Sequence, residues 1–154
     1  MAKTSAKPIE PVPAIASPAP NALAELPGYA LRRAASVMMA ELAERLATVD
    51  LRISEATVLL LVGERRDLTS SEIGRILDIQ RANMVPLLAR LEAAGLIRRE
   101  PIDRKSQAIL LTAAGFERLA QVRAITARFE EDLMGRIPAE HRDHFLPALH
   151  ALGG

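Results

Sequence analysis

Gln80, Arg81 and Asn83 fall together at the start of an expected helix, and Arg104 and Lys105 share a charged turn further along. These side chains suit nucleic acid: an Asn amide can bond N6 and N7 of adenine as a bidentate pair, and an Arg can take guanine or a phosphate. Pro86, with Ala82, could meet thymine methyls, while Ser70, Ser71 and Arg90 suit phosphate contacts that set register. A basic tip at Arg104 and Lys105 can reach a narrow minor groove, where the negative potential is enhanced. Other chemistry is thin. The chain has no glycine-rich phosphate loop, no nucleophile with an evident base and no convergent carboxylate pair, so it is expected not to be an enzyme. The alternative is a metal-binding regulator using His141 and His144, which at i and i+3 of the last expected helix could hold a metal with a carboxylate from elsewhere.

The elements that must position these groups follow from local pattern. Thr69-Ser70-Ser71-Glu72 places a hydroxyl three residues before a carboxylate, which is a capping box starting a short helix with Ile73, Ile76 and Leu77 on one face. The chain turns at Asp78 and Ile79. A second helix is expected from about Gln80, with Met84, Leu87, Leu88 and Leu91 as its buried stripe and Gly95 as its C-terminal stop. Residues 96–100 and 107–111 then read as two strands joined by Pro101 to Ser106. Two helices, a short turn and a basic hairpin have the order of a winged helix-turn-helix, whose second helix enters a major groove. A winged helix that binds protein is the other open reading of this pattern.

Arg90-Leu91-Glu92, Gly95-Leu96-Ile97, Asp103-Arg104-Lys105 and Leu111-Thr112 with Gly115 resemble the signature of the MarR family of transcriptional regulators. The resemblance runs from about Leu26 to Leu149 and is strongest between positions 68 and 115. Two departures stand out. Lys105 replaces an arginine that commonly pairs with the wing aspartate, and Lys lacks the bidentate fork. Val85 and Pro86 occupy positions that are commonly polar or basic. Pro86 has no N–H and clashes with the carbonyl of Ala82, which predicts a bend or a loosened first turn.

The fold class expected is mainly α with a small β-wing: a winged helix-turn-helix plus a helical dimerisation region. Leu31, Ala35, Met38, Leu42, Leu46 and Val49 repeat at a mean spacing of 3.6, giving a long helix over Pro27 to Asp50. Ile53 to Arg65 is a mostly buried helix, with Ser54 as the candidate cap. A stripe from Phe116 through Leu119, Val122, Ile125, Phe129 and Leu133 to Ile137 is narrow enough to suit another helix. Phe145, Leu146 and Leu149 form the apolar face of a last short helix. Residues 1–26, with five prolines, read as a disordered tail, leaving one domain over 27–154: DNA-binding at about 53–112, dimerising at about 27–50 and 113–150.

A net charge of +1 does not by itself point to nucleic acid, but Arg81 to Ser106 holds six basic residues against three acidic ones. The absence of cysteine excludes disulfides and thiolate metal sites, and no apolar run is long enough to span a bilayer. A cytoplasmic protein with no cofactor and no membrane partner is expected.

The resemblance further implies a homodimer on double-stranded DNA, reading a pseudo-palindromic operator and released by a small effector such as a phenolic or aromatic carboxylate or its thioester. Tyr29, Arg32, Arg33, Ser36 and Met39 are the residues that could bind such an acid. The two arginines serve equally well as solvated surface charges.

Overall fold

A computed structural model describes residues 22–23 and 25–153, so most of the expected tail over 1–26 lies outside the described residues. The order is α1 (Pro27–Ala47), α2 (Ile53–Glu64), α3 (Ser70–Ile76), α4 (Arg81–Ala93), β1 (Ile97–Pro101), β2 (Gln107–Leu111), α5 (Ala113–Arg136), a 3-10 turn (Ala139–His141) and α6 (Arg142–Gly153). The chain divides into two units, 1–36 and 37–154.

In the first unit, the start of α1 exposes Leu31, and the Arg32 guanidinium lies 5.2 Å from the centre of the Tyr29 ring. The Ser36 hydroxyl donates to the Arg32 carbonyl at 2.9 Å.

The second unit holds the core. Val58, Leu59 and Val62 of α2 pack with Ile73 of α3, Met84, Leu88 and Leu91 of α4, and Ile109 of β2, all nearly inaccessible to solvent. The cap of α3 forms as expected: Glu72 N–H donates to Thr69 Oγ1 at 3.3 Å, and Thr69 N–H donates to Glu72 Oε2 at 2.9 Å. The cap of α2 does not involve Ser54. Glu55 reaches back to accept the Arg52 N–H at 2.8 Å, because Arg52, with extended backbone, is the residue before the first turn.

Three helices close in the same way. Leu51, Ile79 and Leu96 donate their N–H groups to the carbonyls of Leu46, Gly74 and Leu91, five residues back, with Asp50, Asp78 and Gly95 at φ 54°, 51° and 69°. This closure satisfies carbonyls that a helix end otherwise leaves open. It also stops α1 at Ala47, short of the expected Asp50.

β1 and β2 pair antiparallel with Ile97 opposite Leu111 and Pro101 opposite Gln107, one residue later at β1 than expected. Thr112 ties the sheet to α5: its hydroxyl donates to Gly95 O at 2.6 Å and accepts from Gly115 N at 3.0 Å. A Cβ at Gly115 would lie 2.0 Å from Leu96 O, so no side chain fits there.

Three further expectations need correction. Ile76 is 48% exposed rather than buried with Ile73, since Gly74 is the residue that meets Met84 and Ile79. The first turn of α4 is not loosened at Pro86, because Asn83 N–H and Met84 N–H both donate to Gln80 O and the helix runs unbroken from Arg81 to Ala93. The α5 stripe does not depend on a second chain for cover at Leu119, Val122 and Phe129: the first two are buried in the core with α2, and Phe129 is buried under the Arg45 guanidinium of α1.

Candidate nucleic-acid interface

α3, the start of α4 and the turn end of the β-hairpin border an open groove of about 790 Å³. Its lining includes Ser70 and Ser71 from the first turn of α3, Gln80 and Arg81 from the entry to α4, and Lys105 from the hairpin. Five of the nine residues proposed from sequence are therefore brought to one surface. Each is placed by a local cause. The capping box fixes the first turn of α3, and the left-handed Asp78 swings the chain so that Gln80 begins α4 with extended backbone and no side-chain cap bond. Its amide is left to face outward.

Asn83, Pro86, Arg90 and Arg104 do not line this groove. Asn83 and Pro86 are exposed on other sides of α4, and Arg104 is exposed at the hairpin tip. Arg90 points towards α2, with its Nε 2.7 Å from Glu55 Oε1, a carboxylate that is almost wholly buried. That oxygen makes no well-aligned hydrogen bond, so the contact is a charge pairing rather than a directed bond. Leaving it unpaired would strand a buried charge.

The groove also holds Arg75 and Arg99, which sequence reasoning missed. Arg75 follows Ser71 by four residues on a helix already proposed to touch phosphate, so the i, i+4 spacing was a usable signal. Arg99 gave no local signal, since its partner Glu92 lies in α4. The pair is bidentate, with Nε and Nη2 donating to the two carboxylate oxygens at 2.8 and 3.1 Å, and this bond to Glu92 holds the guanidinium pKa above its usual value.

The hairpin turn is shaped without an Asp–Arg pair. Asp103 Oδ1 accepts the N–H groups of Lys105 and Ser106 at 2.7 and 2.8 Å, and these backbone bonds lower the Asp103 pKa below its usual range. The Lys105 side chain is thus not needed to build the turn.

Neither Tyr29, Arg32, Arg33, Ser36 nor Met39 lines this groove, and Arg32 and Ser36 make the contacts already described within α1. His141 ends the 3-10 turn whereas His144 belongs to α6, so the two do not share one regular helix as expected. Among the described residues no group of three His, Cys, Asp or Glu side chains converges on a metal position. No helix among them is long and apolar enough to cross a membrane.

The family model described as MarR family matches residues 49–106, which span α2, α3, α4 and β1 and reach the end of the hairpin turn. The transcriptional regulator HosA of Escherichia coli O111:H- is 35% identical over 68 residues, 43% of this chain, and the match spans half of HosA's length. Among solved structures, the transcriptional repressor CouR bound to a 23-mer DNA duplex is 34% identical, with 86% of this chain and 95% of that one covered and a TM-score of 0.79. CouR bound to p-coumaroyl-CoA is similar at 30% identity and TM-score 0.78, covering 89% and 98%. Mycobacterium tuberculosis Rv2887 with p-aminosalicylic acid is similar at 26% identity and TM-score 0.67, covering 82% and 98%. The signature residues have structural work in this fold, Glu92 holding Arg99, Thr112 bridging Gly95 and Gly115, and Asp103 closing the wing, and the similarity extends well beyond them to nearly the whole of CouR: the chain belongs to the MarR family of winged-helix transcriptional regulators.

Proposed function

We propose that this protein is a DNA-binding repressor that grips a pseudo-palindromic operator as a homodimer and releases it when a small aromatic acid or its thioester binds. The observation that carries the reading is the groove, where Gln80, Arg81, Arg75 and Lys105 meet in a chain similar to CouR, a repressor solved on duplex DNA. Cations at the rim suit phosphates, and Gln80 and Arg81 at the entry to α4 suit base edges. Asn83, Pro86 and Arg104 complete the proposed contacts. Arg90 is better assigned to Glu55 than to phosphate, given their 2.7 Å approach.

Support for the dimer comes from apolar residues that one chain leaves exposed: Leu146 and Leu152 on α6, and Val37 and Met39 on α1. A twofold pair would set its two recognition helices about one DNA turn apart. Effector release rests on similarity to CouR, bound to p-coumaroyl-CoA, and to Rv2887, bound to p-aminosalicylic acid. Tyr29, Arg32, Arg33, Ser36 and Met39 remain the proposed acid-binding residues. The role is that of a regulator without catalytic activity, acting in the cytoplasm.

Footprinting and gel shift on the DNA upstream of the protein's own gene test the reading. A protected pseudo-palindrome is expected, with log K falling by about 0.9 per phosphate contact for each tenfold rise in salt. Protection should disappear on adding p-coumaroyl-CoA or p-aminosalicylic acid. Binding to no duplex at low salt would remove the proposal, and binding unaffected by either compound would remove its effector clause.

A further inference from the structure

The outward face of α4 carries almost nothing that can make a hydrogen bond. At about 100° per residue, Ala82, Val85, Pro86 and Ala89 lie on the side away from the buried Met84, Leu88 and Leu91. All four are exposed, and Val85 is 62% so, a large value for a β-branched apolar residue in a folded chain. Polar groups occur only on the flanks, with Arg81 on the groove side and Asn83 on the other.

We propose that this stripe reads thymine through its C5-methyl group, so that sequence preference in the centre of each half-site depends on methyl contacts more than on hydrogen bonds. The inference rests on the DNA-binding reading above and adds the chemistry of the readout. Three observations select the major groove as the occupant. The stripe lies on the element whose first residues line the basic groove. Arg75, Arg81 and Lys105 beside it are matched to a phosphate-lined surface, not to an apolar protein face. The residues are small, so the helix backbone can approach the base edges closely. In that groove thymine alone among the four bases presents a methyl, and apolar side chains are its natural partners. Burying one methyl is worth about a fourfold change in affinity.

The test begins with the full-length protein selecting duplexes from a random library. Enrichment of a sequence supports the DNA-binding reading, and no enrichment of any sequence sinks both that reading and this one. The enriched duplex is then rebuilt with uracil for thymine, one position at a time, which removes the methyl and keeps the pairing. At one or more positions in each half-site a loss of about fourfold is expected. Val85→Ala should bind the thymine duplex more weakly yet lose little further on uracil substitution at the position Val85 contacts, since the two changes remove the same contact. Val85 is exposed, so this variant keeps the core intact. Equal affinity for thymine and uracil duplexes at every position, or strictly additive losses with Val85→Ala, would overturn the methyl readout while leaving DNA binding in place.

Discussion

Between α2 and β2 the long apolar side chains are mostly sequestered: Leu59, Leu68, Ile73, Leu88 and Ile109 have no accessible surface. α6 has Phe145, Leu146, Leu149 and Leu152 within its 12 residues, and none of its residues is buried; it packs mainly on the 3-10 turn just before it. Both regions carry apolar residues at helical spacing, with opposite outcomes. The winged region closes its core within one chain, while the apolar content of α6 contributes little to a single chain's stability and is available to another. Stability of the fold and formation of the dimer should therefore be separable by mutation.

The largest effect belongs to the closed region. Leu88→Ala removes a side chain with no exposure and should cost about 2–5 kcal/mol, read as a lower midpoint in urea at any protein concentration. A loss below about 1 kcal/mol would mean that the core around α4 collapses into the cavity and is less rigid than its burial implies. Leu146→Glu provides the contrast. The residue is 55% exposed, so the folded single chain should tolerate the charge, with secondary structure by circular dichroism unchanged. Sedimentation should shift from two chains to one, and affinity for a two-half-site operator should drop by tenfold or more. A dimer that survives Leu146→Glu would place the interface away from this part of α6.

These contrasts also explain what was readable from residues alone. The α3 cap, the α4 stripe and Gly95 depend on neighbours within one or two turns, and all three occur as the pattern demands. Asp50 and Asp78 adopt left-handed backbone where helix closure rewards it; aspartate tolerates that conformation better than most residues, but most aspartates do not adopt it, so residue type alone does not mark the two sites. The α5 stripe was legible as a helix but not in its partner. Leu119 meets Gly63 of α2, a contact across fifty-odd residues that periodicity does not record. In the groove, Gln80, Arg81, Ser70, Ser71 and Lys105 were legible because they sit at the ends of recognisable elements. Arg99 was not, since its orientation depends on Glu92 in another element.

A smaller effect tests whether α3 depends on its cap or on the core behind it. Thr69→Ala removes the hydroxyl that accepts the Glu72 N–H and should cost about 1 kcal/mol, less than Leu88→Ala because Ile73 still anchors the helix. Amide exchange in α3 should quicken while that in α2 does not. Uniform quickening in both would mean the closed region opens as one unit.

The smallest expected effect lies at the wing, where only local bonds hold the turn. Asp103 is exposed, and its carboxylate is favoured by the N–H groups of Lys105 and Ser106, first the one and then the other. A group whose pKa is lower in the ordered turn than in the open chain stabilises the turn when ionised. That contribution is complete above the open-chain value, near 3.8, and is lost as pH falls through the lower value in the turn. Followed by amide resonances, Lys105 and Ser106 should therefore stay in their hydrogen-bonded positions at neutral pH and move together only when pH falls below the ordinary aspartate range. In Asp103→Asn the acid-dependent step should vanish, because the amide oxygen still accepts but no longer titrates. If the step persists in that variant, the wing is held by a group other than Asp103, and the turn is coupled to the closed region rather than built locally.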